Sequence, residues 1–246
     1  MNNNKIFLRF PQPQRDAIFL KRSQRFLADM VFEGGEEATV YCPNPGAMTG
    51  LLTEGNRVVV WDSNDAKRRR RYTWRAIEFD GHWVGTDTHF SNRIVSKIIE
   101  QRLLPALASF TEVAHEKLIE TGVRIDFILR HEKDDCLLEV KSASVALGGV
   151  ARYPDSKTPR GVKQLQAFTR RLKCGQRVIV LFLVQRADVQ SFIVTDAFDP
   201  AYAKAFAEAV AEGLEVMPVA VKVSPEGFSL PRLLPYGEFH GSWPSA

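Results

Sequence analysis

The chain has few cysteines and no long apolar run. Its 246 residues include only three cysteines, Cys42, Cys136 and Cys174. An odd count without paired-thiol spacing excludes a disulfide framework or a cysteine-rich zinc site and reads as packed or free thiols in a reducing cytoplasm. The longest apolar run is Val178 to Val184, seven residues, against the roughly 20 that a transmembrane helix needs. Met1-Asn2-Asn3-Asn4-Lys5 leads into no apolar signal region, so a cytoplasmic location and no membrane partner are expected. The five histidines, His82, His89, His115, His131 and His240, lack metal-ligand spacing. There is no Walker sequence, Gly148-Gly149 is too short for a phosphate loop, and Ser142 and Ser144 sit in no nucleophile elbow. Internal repeats and low-complexity tracts are missing too. With 45% apolar and 25% charged residues, the composition is that of a folded chain of one or two domains.

The charge is nearly balanced, at a net +4. Its distribution is uneven. Residues 1–85 carry 13 Lys and Arg against 10 Asp and Glu, and the remainder carries 20 against 19. The surplus is concentrated in Lys67, Arg68, Arg69, Arg70 and Arg71. Five adjacent cations repel one another, so they need solvent or an anionic partner: an exposed loop or a phosphate contact.

Hydropathy patterning changes near residues 82–90. Before it come short strands: Thr39–Tyr41, Arg57–Trp61, Tyr72–Phe79 and, after the hairpin signal Asp80-Gly81, His82–Val84. Close spacing of this kind predicts a small barrel or sandwich. After it, Ser91 is a candidate cap for a helix over 92–101 with an apolar stripe of Ile94, Val95, Ile98 and Ile99. Arg124–Leu129 and Cys136–Lys141 alternate as paired strands. Thr158-Pro159 opens a helix that stops at Gly175, and Asp199-Pro200 opens another that stops at Gly213. Arg177–Val184 is apolar on both faces, as a central strand covered by helices would be. Val216–Val223 is a further strand, and the tail from Pro231 reads as surface.

Three residues break the apolar pattern of the paired strands. Asp126 interrupts Ile125, Phe127 and Leu129, while Glu139 and Lys141 share one face of the next strand. Charges on core-like strands are costly unless paired or solvated. An aspartate followed by Glu-x-Lys on the next strand is the pattern of PD-(D/E)XK metal-dependent nucleases. Two carboxylates offer hard oxygen ligands to Mg²⁺ or Mn²⁺, and a lysine can orient water or neutralise developing charge. An internal ion pair has the same spacing. On the following helix, Arg160, Gln164 and Arg171 fall along one polar stripe that can steer a phosphate backbone.

Read with their flanks, these residues resemble the sugar fermentation stimulation protein A (SfsA) family. The matching pieces are Arg25-Phe26-Leu27-Ala28-Asp29, Cys42-Pro43-Asn44-Pro45-Gly46-Ala47-Met48, Arg71-Tyr72-Thr73, Asn92-Arg93, Arg124-Ile125-Asp126-Phe127, Glu139-Val140-Lys141-Ser142, and Tyr153-Pro154-Asp155 with Arg160-Gly161. The resemblance implies a mixed α/β protein: an OB-like β-barrel for nucleic-acid binding over residues 1–84, then a restriction-endonuclease-like PD-(D/E)XK domain over 85–246. It implies DNA as partner without strong sequence preference, a link to sugar metabolism, and Gln164 as a supporting polar residue beside Asp126, Glu139 and Lys141. Arg22, Arg25, Asn44, Met48, Lys67 to Arg71 and Arg160 become candidate DNA contacts. Trp61, Tyr72 and Trp74 become stacking platforms or barrel core. Pro45, Asp87 and Lys97 depart from the family's expected threonine, asparagine and glutamate, with Glu100 or Glu116 as replacement carboxylates.

Three functions stay open: a DNA-binding protein with metal-dependent phosphodiester hydrolysis, a non-catalytic DNA-binding regulator, and a metal-dependent enzyme acting on a small phosphorylated metabolite.

Overall fold

The structure is a computed structural model that describes residues 5–65, 67–110, 112–131 and 134–237. Seven strands come first: β1 (Ile6–Arg9), β2 (Gln14–Gln24), β3 (Leu27–Phe32), β4 (Glu37–Tyr41), β5 (Arg57–Asp62), β6 (Tyr72–Phe79) and β7 (His82–Gly85). Five of them form a closed barrel in the order β4-β3-β2-β5-β6, shut by the parallel pair Tyr41↔Thr73 between β4 and β6. Period-two alternation fills it. Ala28, Met30 and Phe32 from β3, Phe19 from β2, and Val58 and Val60 from β5 point inward around Trp74. Trp74 is fully buried and its indole Nε1 donates to the Ala76 carbonyl at 2.9 Å, so the ring is buried without an unmet donor. Trp74 and the buried Tyr72 are therefore core, not stacking platforms.

The second unit adds α1 (Phe90–Glu100), β8 (Glu112–Glu120), β9 (Val123–His131), β10 (Asp134–Ala143), β11 (Val145–Leu147), β12 (Val150–Tyr153), α2 (Pro159–Lys173), β13 (Arg177–Val184), β14 (Ser191–Val194), α3 (Pro200–Ala211), β15 (Glu215–Ser224) and β16 (Gly227–Leu233). Its main sheet runs β7-β15-β13-β10-β9-β8. The centre is parallel, β15-β13-β10, and the flanks are antiparallel. The apolar run of β13 is explained by cover on both faces. Ile179, Leu181 and Leu183 pack with Ile94, Val95 and Ile98 of α1, and Val178, Val180 and Phe182 pack with Leu165 and Phe168 of α2 and Phe206 of α3. Strands β11, β12 and β14 make a separate three-stranded sheet.

Thr158 caps α2 through its hydroxyl, which accepts from the Gly161 amide at 3.2 Å, and Asp199 caps α3 by accepting from the Tyr202 amide at 3.1 Å. The start of α1 differs from expectation. His89 takes the cap position without a side-chain bond, and Ser91 lies inside the helix, buried, its hydroxyl accepting from Gln185 Nε2 at 3.3 Å. Two ends of the chain also differ. Strand β1 pairs with β16, so Ile6–Arg9 belongs to the second unit's sheet although 1–84 was expected in the barrel. Pro231–Leu233 completes β16, because the register of its pairing with β15 shifts between Ser229 and Arg232 and a bulge tolerates proline; residues 238–246 of the expected surface tail lie outside the described residues.

Candidate active site

The β9–β10 hairpin and α2 build the site. The antiparallel ladder of β9 and β10 ends at Leu138↔Phe127. Beyond it the carboxylate of Asp126 replaces a backbone acceptor: Oδ2 takes the Val140 amide at 2.8 Å. Its Oδ1 accepts from Asn92 Nδ2 of α1 at 2.9 Å. Next to Val140 in the strand, Glu139 is 6% exposed. Its Oε1 accepts from Lys141 Nζ at 2.6 Å, while its Oε2 is buried without a hydrogen-bond partner. Lys141 also donates to Gln164 Oε1 at 2.5 Å, and Gln164 Nε2 donates to the Arg124 carbonyl at 3.1 Å. The structure thus brings Asp126, Glu139, Lys141 and Gln164 to one point.

Electrostatics follow from this burial. Desolvation pushes the Glu139 carboxyl up, with Asp126 pushing the same way and Lys141 pulling back. Burial alone would lower Lys141, but Glu139, Tyr153 and Asp126 together outweigh it and the ammonium is held above its ordinary range. Lys141 is therefore a cation at neutral pH, fitted to donate hydrogen bonds and offset negative charge, and not to act as a base.

The donor set fits a hard divalent cation. A buried carboxylate oxygen left unpaired costs about 1–3 kcal/mol or more, and a cation beside Glu139 Oε2 would remove that cost. One or two carboxylates suffice where water and phosphate complete the shell. Among the described residues no group of three or more His, Cys, Asp or Glu gathers in a metal-holding arrangement. Lys97 and Glu100 pair with each other at 2.5 Å on the exposed face of α1, and Glu116 is exposed on β8, so neither glutamate supplies the replacement carboxylate. The helix contributes Asn92 instead.

Two hollows flank the cluster. One, of about 520 Å³, lies between α2 and the β8–β9 turn and is lined by Arg124, Arg160, Lys163, Gln164 and Arg170. Arg160 and Lys163 are exposed. The polar stripe expected on α2 is divided: Gln164 turns inward, and Arg171 donates to the Ile119 carbonyl. The other, of about 270 Å³, has Lys141, Tyr153 and Asp155 on one side and Asn44, Pro45 and Gly46 of the barrel on the other.

The remaining candidates on the barrel split in the same way. Met48 is fully buried, its Sδ 3.9 Å from Cys42 Sγ, and so meets neither base nor sugar. Asn44 is buried and its Oδ1 accepts from the Gly46 amide at 2.9 Å, an Asx turn that shapes the loop. Arg22 donates to the carbonyls of Gly46 and Asn44, at 2.7 Å each, and Arg25 Nε to that of Pro45 at 3.2 Å. Arg22 is thereby a clamp on the loop, while Arg25 clamps it and stays exposed. Arg71 forks onto Asp62 at 2.6 and 2.7 Å, which removes it from the free cationic run. Lys67, Arg68 and Arg69 are exposed and Arg70 is half-buried. Of the thiols, Cys42 and Cys136 are buried and Cys174 exposed; burial pushes the Cys136 thiol up to about 12, so it is no nucleophile.

Residues 89–227 match the family model described as the Sugar fermentation stimulation protein RE domain, and residues 20–86 match the SfsA N-terminal OB domain. The chain belongs to the SfsA family. Among SfsA relatives, the sugar fermentation stimulation protein homolog of Ruegeria sp. (strain TM1040) is 38% identical over 231 residues, covering 93% of this chain and 100% of that protein. The homolog of Jannaschia sp. (strain CCS1) is 38% identical over 232 residues, covering 93% and 96%. The solved structure of Pyrococcus furiosus SfsA in complex with Ca²⁺ superimposes with a TM-score of 0.86, covering 95% of this chain and 100% of that one at 23% identity. That likeness shows the fold, and the two family models name its parts, an N-terminal OB domain followed by an RE domain. Among the described residues no helix is long and apolar enough to cross a membrane.

Two contributions to the site were missed in the sequence. Asn92 reads there only as a helix start, and Arg124 only as a strand residue. Neither carries a local signal, because each acts through the tertiary contact that α1 or α2 makes with β9.

Proposed function

We propose that this chain is a nucleic-acid-binding hydrolase that cuts phosphodiesters with Mg²⁺ or Mn²⁺ held by Asp126 and Glu139. The observation that carries the reading is the convergence of Asp126, Glu139, Lys141 and Gln164 between two open hollows, with Glu139 Oε2 unpaired. The Pyrococcus furiosus relative described with Ca²⁺ supports a hard, oxygen-bound cation. Such a cation, when bound, supplies charge stabilisation at a phosphoryl oxygen and acidifies water. The chain's own groups do the rest. Arg160 and Lys163 draw the backbone into the larger hollow. Lys141 donates to the phosphoryl oxygen that gains charge, and Gln164 and Glu139 hold its ammonium in place.

One observation favours a second reading, a non-catalytic DNA-binding regulator. Both Asp126 oxygens already have donors, Asn92 and the Val140 amide, so the cluster is also consistent with a closed structural network. Calorimetric titration with Mg²⁺ and Mn²⁺ separates the two. The hydrolase reading expects binding that Glu139→Gln abolishes; heat of binding unchanged in that variant would sink it.

A further inference from the structure

A separate cavity of about 230 Å³ lies where the barrel meets the first turn of α1, lined by Arg68, Arg75 and Arg93, by Trp61 and Phe90, and by Thr73 and the buried Asp87. None of these residues belongs to the cluster around Lys141. At its floor is Arg75, in the middle of β6, 6% exposed and ion-paired through Nη1 to Asp87. Its Nε has no hydrogen-bond partner, and neither has Thr73 Oγ1, in a residue 4% exposed. Buried donors left unmet in a native site call for an explanation. The surroundings add one. Arg68 and Arg75 lie 4.8 and 5.0 Å from the Trp61 ring centroid, and Arg75 and Arg93 lie 5.0 and 4.6 Å from that of Phe90. Cation–π contact of this kind holds a guanidinium through its face and leaves its N–H donors free. Three guanidiniums then line the cavity beside one carboxylate, Asp87, which pairs with Arg75. Burial, with Arg68 and Arg93 close by, brings the Arg75 pKa down to about 10, as crowded positive charge should.

Surplus positive charge, free planar forks and unmet buried donors suit an oxyanion with several acceptor oxygens. We propose that this cavity is a phosphate subsite that takes one backbone phosphate of a nucleic-acid strand. The choice of a strand as the source rests on the proposed function above; the phosphate chemistry rests on the cavity alone. Lys67 and Arg69, the chain neighbours of Arg68, are exposed, and the α1 turn that lines the cavity leads to Asn92, which touches Asp126. A strand gripped here is thereby directed toward the second unit.

The test uses the full chain in EDTA, so that no cleavage intervenes. Anisotropy of a short fluorescein-labelled oligothymidylate is followed across a salt series for wild type, Arg68→Gln/Arg93→Gln and the control Lys204→Gln. Both arginines are exposed, and circular dichroism checks that the double variant is folded. The expected result is about tenfold weaker binding by the double variant, with a salt slope shallower by about 0.7 for each phosphate no longer neutralised, and wild-type binding by Lys204→Gln, which removes an exposed charge on α3. A double variant equal to wild type in affinity, in slope and in its response to inorganic phosphate overturns the subsite. In a parallel arm inorganic phosphate is the competitor. If the double variant loses only its response to inorganic phosphate while binding the oligonucleotide as wild type does, the strand is overturned as the source. A protein that binds through this cavity yet never cleaves with Mg²⁺ or Mn²⁺ defeats the hydrolase reading and leaves the subsite standing.

Discussion

Gln164 on α2 places its Oε1 2.5 Å from the Nζ of Lys141 on β10. Its other end donates to the Arg124 carbonyl of β9, so one amide joins a helix, a strand and the ammonium. Gln164→Leu removes both bonds and takes one acceptor from the Lys141 ammonium. A drop of about 1–3 kcal/mol in stability is expected, read by urea melting. Cleavage should fall further than oligonucleotide binding, because the groove cations are untouched. Gln164→Glu keeps an acceptor for Lys141 and should retain more cleavage than Gln164→Leu; the reverse order would contradict a positioning role.

Gly46 on the barrel loop lies against Asp155 of the second unit. A Cβ there would sit 2.2 Å from Asp155 Oδ2, closer than any real contact. Gly46→Ala must push the loop or the aspartate away, at a cost of about 1–3 kcal/mol. The partner variant Asp155→Gly should recover most of that stability in a double-mutant cycle. Additive effects would show that the clash lies elsewhere.

How far the sequence reaches is visible in these two pairs. Alternation in 124–129 and 136–141 is enough to place Asp126, Glu139 and Lys141 on a hairpin, because strand periodicity is local. The barrel loop is different. Asn44 and Met48 look like ligand contacts when only the motif is read, yet Met48 fills the barrel and Asn44 closes a turn. What Gly46 meets, Asp155, is 109 positions away, and no local pattern encodes that approach. Arg75 did leave a trace, as a lone cation in the otherwise apolar stretch Trp74 to Ile77. The edge strand β8 left little, since exposed Glu116, Lys117 and Leu118 carry no clear alternation.

Asp62 and Arg71 supply a pH prediction. The hydrogen-bonded Arg71 guanidinium holds the Asp62 carboxyl below its ordinary 3.8, against the opposing effect of burial. A depressed carboxylate stabilises the fold above the unfolded-state value and loses that contribution as pH falls through the folded one. Asp62→Asn should therefore be less stable than wild type from neutral pH down to about 4, with the gap closing below that. Denaturant melts across the acid range check it, and a gap that persists or widens in acid would contradict the pairing.

The same pair predicts a split within the cationic run. Arg71→Ala should lower stability and leave the salt dependence of oligonucleotide binding unchanged. Arg160→Ala and Lys163→Ala, in the larger hollow, should leave stability within about 0.5 kcal/mol and each reduce the salt slope by about 0.7–0.9. Equal slopes in all three variants would move the bound strand off this hollow.

The most direct measurement is cleavage. Purified protein is incubated with single- and double-stranded DNA in Mg²⁺, Mn²⁺ or EDTA, beside Glu139→Gln and Lys141→Ala. The account predicts cutting that requires metal and falls by at least about 100-fold in both variants while their DNA binding stays within a few-fold of wild type. Binding without cutting under every metal, or cutting that survives Glu139→Gln, would contradict it.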